Sequence, residues 1–107
     1  MNVFNWLTGR FSNRGKALSL YKRGMAKAKK HDYQGAIDDY TKSIGMPHTP
    51  ANVKAMLLYN RALAHVATGD YLRGVDDFDA VLAIDEASLI VKSKARHKLA
   101  RRQSRSS

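Results

Sequence analysis

Cysteine is absent from this 107-residue chain. That removes disulfides, thiolate chemistry and cysteine-bound metals from consideration. Proline occurs only at Pro47 and Pro50, so helices can run long on either side of a single break. No stretch approaches the roughly 20 apolar residues a membrane span needs. The opening MNVFNWLTGR lacks a basic leader followed by a long apolar run, so no secretion signal is expected and a cytoplasmic location is. Glycine-rich phosphate loops and nucleophile motifs are missing. Acidic residues are few and confined: nine in all, between Asp32 and Glu86, against 19 Lys and Arg, for a net charge of +10. A chain of this length makes one domain with a modest core.

What is present is a sequence written twice. At an offset of 38 residues, Leu20, Tyr21, Arg23, Ala26, Asp32, Tyr33, Asp38 and Asp39 recur as Leu58, Tyr59, Arg61, Ala64, Asp70, Tyr71, Asp76 and Asp77. Between them Met25 answers Leu63, Ile37 answers Val75, Tyr40 answers Phe78 and Ile44 answers Leu82. A repeat of this length predicts helical hairpins, each burying its open face on the next.

Periodicity predicts five helices and no strand. Ala17, Leu20, Tyr21, Gly24, Met25 and Ala28 recur at three- and four-residue steps over about 16–30, with Ser12 or Asn13 as a cap. The second helix covers about 33–45. Pro47 stops it, and Thr49 with Pro50 starts a third over about 50–68. A fourth spans about 71–84, and 87–102 reads as a solvating end helix. The tail 103–107 is expected to be disordered. Residues 1–15 carry Phe4, Trp6, Leu7 and Phe11 and form a separate aromatic and basic segment, expected to dock on apolar helix surface as a cap or plug, in its own molecule or a neighbour's; the alternative is a frayed terminus with incidental aromatics.

These residues resemble the tetratricopeptide repeat family, a 34-residue helix-turn-helix with small residues at the helix crossing, an aromatic in the second helix and a closing proline. Gly24 and Ala62 hold the first small place, Ala36 and Gly74 the second, Tyr40 and Phe78 the aromatic place, and Asp32-Tyr33 and Asp70-Tyr71 the turn. The chain departs from the pattern at several positions. Leu20 and Leu58 replace a tryptophan, Arg23 and Arg61 a leucine, and Lys27 and His65 a tyrosine. His48 and Glu86 stand for the closing proline. The resemblance covers about 16–86 and implies an all-α fold: two antiparallel hairpins (repeats 16–48 and 51–86) in a right-handed superhelical array, plus the end helix.

The resemblance also implies that the first helix of each hairpin lines an inner surface. On that mapping the inward residues are Leu18, Tyr21, Lys22, Met25, Ala28 and Lys29, then Met56, Tyr59, Asn60, Leu63 and Val66. Leu18, Tyr21, Lys22, Met25, Lys29, Met56, Tyr59, Asn60 and Leu63 form the candidate groove, suited to an acidic or amphipathic peptide. For Leu63 and Val66, packing within the array is the favoured role. Asn60 matches one residue of the clamp by which some members grip chaperone tails. Tyr21 and Met25 stand where its lysine and asparagine would be, so chaperone binding is not expected.

Catalytic, metal and cofactor roles are not expected: His31, His48, His65 and His97 lack helical metal spacing. Asp38-Asp39 and Asp76-Asp77-Asp79 read as solvated faces. Residues 1–30 hold eight basic residues and 87–107 hold seven, with no acid in either. The expected function is a non-enzymatic protein-binding adaptor. The alternatives are a nucleic-acid or polyanion binder using the basic ends and a peripheral membrane adaptor using Phe4, Trp6, Leu7 and Arg10. Self-association is compatible with all three.

Overall fold

The computed structural model describes the backbone from Val3 to Ser106 and the side chains from Gly15 to Arg101. Five helices follow in order: α1 (Val3–Lys29), α2 (Tyr33–Ile44), α3 (Ala51–Ala67), α4 (Tyr71–Leu82) and α5 (Leu89–Ser106). No strand occurs among the described residues.

Both hairpin turns use the same chemistry. His31 and Gly69 turn left-handed, at φ 67° and 87°. The next amide in each, Asp32 N–H or Asp70 N–H, donates to the carbonyl of Lys27 at 2.8 Å or His65 at 2.9 Å. That satisfies carbonyls left over at the helix end. The same aspartates then cap the following helix. Asp32 Oδ1 accepts from Gly35 N–H at 3.0 Å, and Asp70 Oδ1 from Arg73 N–H at 3.3 Å.

Three element boundaries differ from expectation. α1 runs back through Ser12 and Asn13 to Val3, so neither residue caps its start. No proline interrupts that run, and isolated glycines cost a helix only about 1 kcal/mol each. α3 begins at Ala51, with Pro50 in the capping position. Thr49 instead turns its hydroxyl back, donating to the carbonyls of Ser43 and Met46 at 3.0 and 3.2 Å. α5 continues to Ser106, where a disordered tail was expected from 103. Arg and Gln are good helix formers, and elongating a helix already anchored by buried Ala95 is far easier than starting one. The side chains of Phe4, Trp6, Leu7 and Phe11, expected to dock as a cap or plug, lie outside the described residues.

Small residues sit where the helices cross. Ala36 and Ala62 are wholly buried. A Cβ on Gly24 would lie 2.6 Å from Cε1 of Tyr40, a ring only 1% exposed. On Gly74 it would lie 2.6 Å from Val66 Cγ2 and 3.3 Å from the Ala62 carbonyl oxygen. Around the first crossing Ala36, Tyr40 and Leu57 form one core cluster. Around the second, Leu58, Ala62, Phe78 and Val81 join Ala95 of α5 in another. Ile44 packs against both. The aromatic pairs repeat as well: Tyr21 on Tyr40 at 6.3 Å between ring centres, and Tyr59 on Phe78 at 5.6 Å.

Each helix packs on the one before and after it, while α3 also touches α1 and α5; α2 and α4 make no close approach. The stack therefore has an inner side of α1, α3 and α5 and a back of α2 and α4. This is an all-α stack of helical hairpins, compatible with a helical repeat.

Candidate functional site: an acid-free inner face

The sequence divides charge by helix. α1, α3 and α5 contain no acidic residue, whereas α2 and α4 hold five of the nine. Because the odd-numbered helices share one side, the inner face is free of acids along its whole length.

On this face the structure sorts the expected groove residues into two groups. Leu18, Met25 and Met56 are 41%, 45% and 40% exposed, and Lys22 and Lys29 are exposed beside them. These five are available. Tyr21, Tyr59 and Leu63 are half-buried: Tyr21 packs on the first core cluster, and Tyr59 and Leu63 on the second with Val66. Burial raises the hydroxyl pKa of both tyrosines, for Tyr21 in spite of a hydrogen bond that opposes it. Met25 and Leu63 are equivalent positions with different fates, because the second hairpin carries α5 with its partly buried Val91 and Leu99.

Asn60 joins the hairpins. Its Nδ2 donates to Tyr21 Oη at 3.1 Å and to the Met56 carbonyl at 2.9 Å. Both amide hydrogens are thus committed to the scaffold, which fixes Met56 and Tyr21 side by side. Its neighbour Arg61 reaches the first hairpin at a second point, donating from Nη1 to Thr41 Oγ1 at 3.2 Å.

The back holds an arrangement that the solvated-face reading missed. Asp38, Asp76 and Asp79 are exposed, but Asp39 is 1% and Asp77 6% exposed. Arg23 Nε and Nη2 each donate to Asp39 at 2.8 Å, and Arg61 Nε and Nη2 each donate to Asp77 at 2.8 Å. Four residues after each arginine comes a second base: Lys27 lies 3.1 Å from Asp39, and His65 lies 3.7 Å from Asp77. The Arg23 hydrogen bonds hold the Asp39 carboxyl down at about 2, against the opposing effect of burial. Burial lowers the His65 pKa against the opposing pull of Asp77, which favours the neutral ring. A signal was available: Arg23/Arg61 and Lys27/His65 are among the positions where both copies depart together from the tetratricopeptide pattern they resemble, and these two put a base in place of an apolar or aromatic residue.

Between α2 and α4 an open cleft of about 440 Å³ is floored by Arg61 and His65 and walled by Ile37, Thr41, Arg73, Asp76 and Asp77. Its charges largely cancel: Arg61 is taken by Asp77, and Arg73 Nη1 donates to Asp70 at 3.3 Å. It offers no concentrated field for an ionic ligand. Among the described residues, no three histidine or carboxylate side chains converge as metal ligands, and no helix is long and apolar enough to cross a membrane.

No family model, no curated protein and no solved structure matches the chain.

Proposed function

We propose that this chain is a two-repeat tetratricopeptide-type adaptor, without enzymatic activity or cofactor, that binds a protein through the inner face of α1 and α3. One observation carries the reading. Leu18, Met25 and Met56 expose large apolar side chains on one face, where Asn60, Tyr21 and the Met56 carbonyl are already hydrogen-bonded to the scaffold. Such a patch in a polar frame suits a protein partner, with central anchors supplying most of the binding energy. Because Tyr21 and Tyr59 hold the hairpins together, the anchors are the methionines and Leu18 rather than the tyrosines. A cytoplasmic location accords with this role.

Photo-crosslinking residues placed singly at 25, 56, 38 and 76 test it in lysate of the source organism. Protein adducts at 25 and 56, with none at the back positions 38 and 76, are expected. Adducts at the back alone would overturn it.

The acid-free character of α1, α3 and α5 favours one second reading, binding of a polyanion such as nucleic acid. Such binding falls steeply as salt rises, whereas apolar docking on Leu18, Met25 and Met56 does not. A salt titration of the crosslinked partner separates the two.

A further inference from the structure

α1 is 27 residues long and α2 only 12, or about 40 Å against 18 Å at 1.5 Å per residue. The end of α2 meets α1 near Ala17, whose carbonyl accepts a 2.9 Å hydrogen bond from Ser43 Oγ. The α1 backbone before Ala17 therefore runs on past the end of its own hairpin partner. Leu18 and Met25 lie seven residues apart and so share one side of the helix. Stepping back by sevens from Leu18, the sequence reads Phe11 and then Phe4, with Leu7 and Tyr21 at the companion position three residues on. Among the residues whose side chains are described, Leu18, Tyr21 and Met25 make this a short coiled-coil-like seam.

The flanks of the seam decide what covers it. Met56 of α3 stands on one side. Lys22 and Lys29 stand on the other, both exposed and again seven residues apart. α1 has seven basic residues and no acidic one. A second copy of α1 would bring like charge against like, which a coiled coil does not tolerate at its flanks. The geometry points to a partner of one chemical kind: an acidic amphipathic helix, its apolar seam laid on Leu18 and Met25 and its carboxylates against Lys22 and Lys29. This deepens the inner-face reading and rests on it. Opposite charges on the flanks also set specificity by repelling basic helices.

The test uses the full chain and a synthetic 28-residue peptide with leucine at the first and fourth places of each heptad and glutamate at the fifth and seventh. Three comparisons accompany it: a peptide of the same composition with re-spaced leucines, vesicles of 30% phosphatidylserine in phosphatidylcholine, and a 20-nucleotide single-stranded DNA. Saturable binding of the heptad peptide is expected, at least tenfold tighter than of the re-spaced one. Leu18→Glu with Met25→Glu should weaken it at least tenfold. Lys22→Glu with Lys29→Glu, at exposed sites outside the described core, should do the same and should transfer preference to a lysine-flanked peptide. Equal binding of both peptides, binding of only vesicles or DNA, or a wild-type dimer abolished by Leu18→Glu with Met25→Glu would overturn the inference. Protein adducts at positions 25 and 56 without heptad-peptide binding would sink this inference and leave the adaptor reading standing; their absence would sink the adaptor reading itself.

Discussion

Arg61 holds Asp77 in the same two-pronged grip, at the same 2.8 Å distances, that Arg23 applies to Asp39 one repeat earlier. Each grip ties the first helix of a hairpin to the second. The second is the drier of the two, since the Arg61 side chain is 21% exposed against 56% for Arg23. Asp77→Ala would leave a largely buried guanidinium without its carboxylate, at a cost on the order of 3 kcal/mol. Replacing Arg61 and Asp77 together by leucine should cost less, because no charge is stranded. Urea denaturation of the two variants checks the order; a single variant milder than the double would show that Arg61 finds water when Asp77 is removed.

Acid should act in two separate stages. His65 has its pKa lowered from the ordinary 6.5 by burial, beside Asp77 and Arg61. The unfolded chain binds that proton more readily than the folded one, so stability falls as pH drops below about 6.5. Asp39 is depressed from the ordinary 3.8 to about 2, so its contribution persists above 3.8 and is lost as pH falls toward 2. His65→Gln should flatten the pH 7 to 5 part of a melting-temperature profile and leave the steeper loss below pH 4. An unchanged profile between 7 and 5 in that variant would remove His65 as its source.

Alanine for glycine within a helix normally stabilises by up to about 1 kcal/mol. Gly15, with open space around it, should follow that rule. Gly24 should reverse it, since the new methyl meets the buried Tyr40 ring; Gly24→Ala should cost about 1–3 kcal/mol, as should Ala36→Leu at the same crossing. Thermal melts of the three variants give the signs directly. A stabilised Gly24→Ala would mean that the hairpin is not closed as described.

His31 occupies a left-handed turn that its counterpart fills with Gly69. His31→Gly should stabilise by about 1 kcal/mol, and Gly69→Ala should destabilise by a similar amount. The exposed 2.8 Å contact between His31 Nδ1 and the Tyr33 hydroxyl, with the edge-on packing of the two rings, is what the first change removes. Chemical denaturation midpoints decide it: a loss on introducing glycine would show that this bond outweighs the backbone strain.

Much of this architecture was legible in the residues. The 38-residue echo located both hairpins, and apart from the start of α1 the helix limits within the repeats fell within two residues of those observed, because Asp32, Asp70, Pro47 and Gly69 act locally. The small-residue places at 24, 36, 62 and 74 could be read because a close crossing admits nothing larger. What could not be read was which member of each acidic pair turns inward. Asp38 and Asp39 look alike in sequence, and only the arrival of Arg23 sixteen residues upstream separates them. The groove was legible as a face but not as a division of labour. Tyr21 and Met25 sit one turn apart, yet one is committed to Tyr40 and Asn60 while the other stays open. The length of α1 was missed for a simpler reason: apolar spacing marks where a helix packs, and α1 extends beyond its packing partner.

Asn60 and Arg61, adjacent in the chain and so about 100° apart around α3, reach the first hairpin at Tyr21 and Thr41. In mechanical terms they are opposed stays on one joint. Opening the inner face stretches the Asn60–Tyr21 link, and closing it further stretches Arg61–Thr41, so flexing in either direction loads a bond. The curvature of the stack is thereby held at a set point rather than left to the sliding of apolar surfaces. Arg61 also grips Asp77, so any load on that joint is passed straight into the second hairpin.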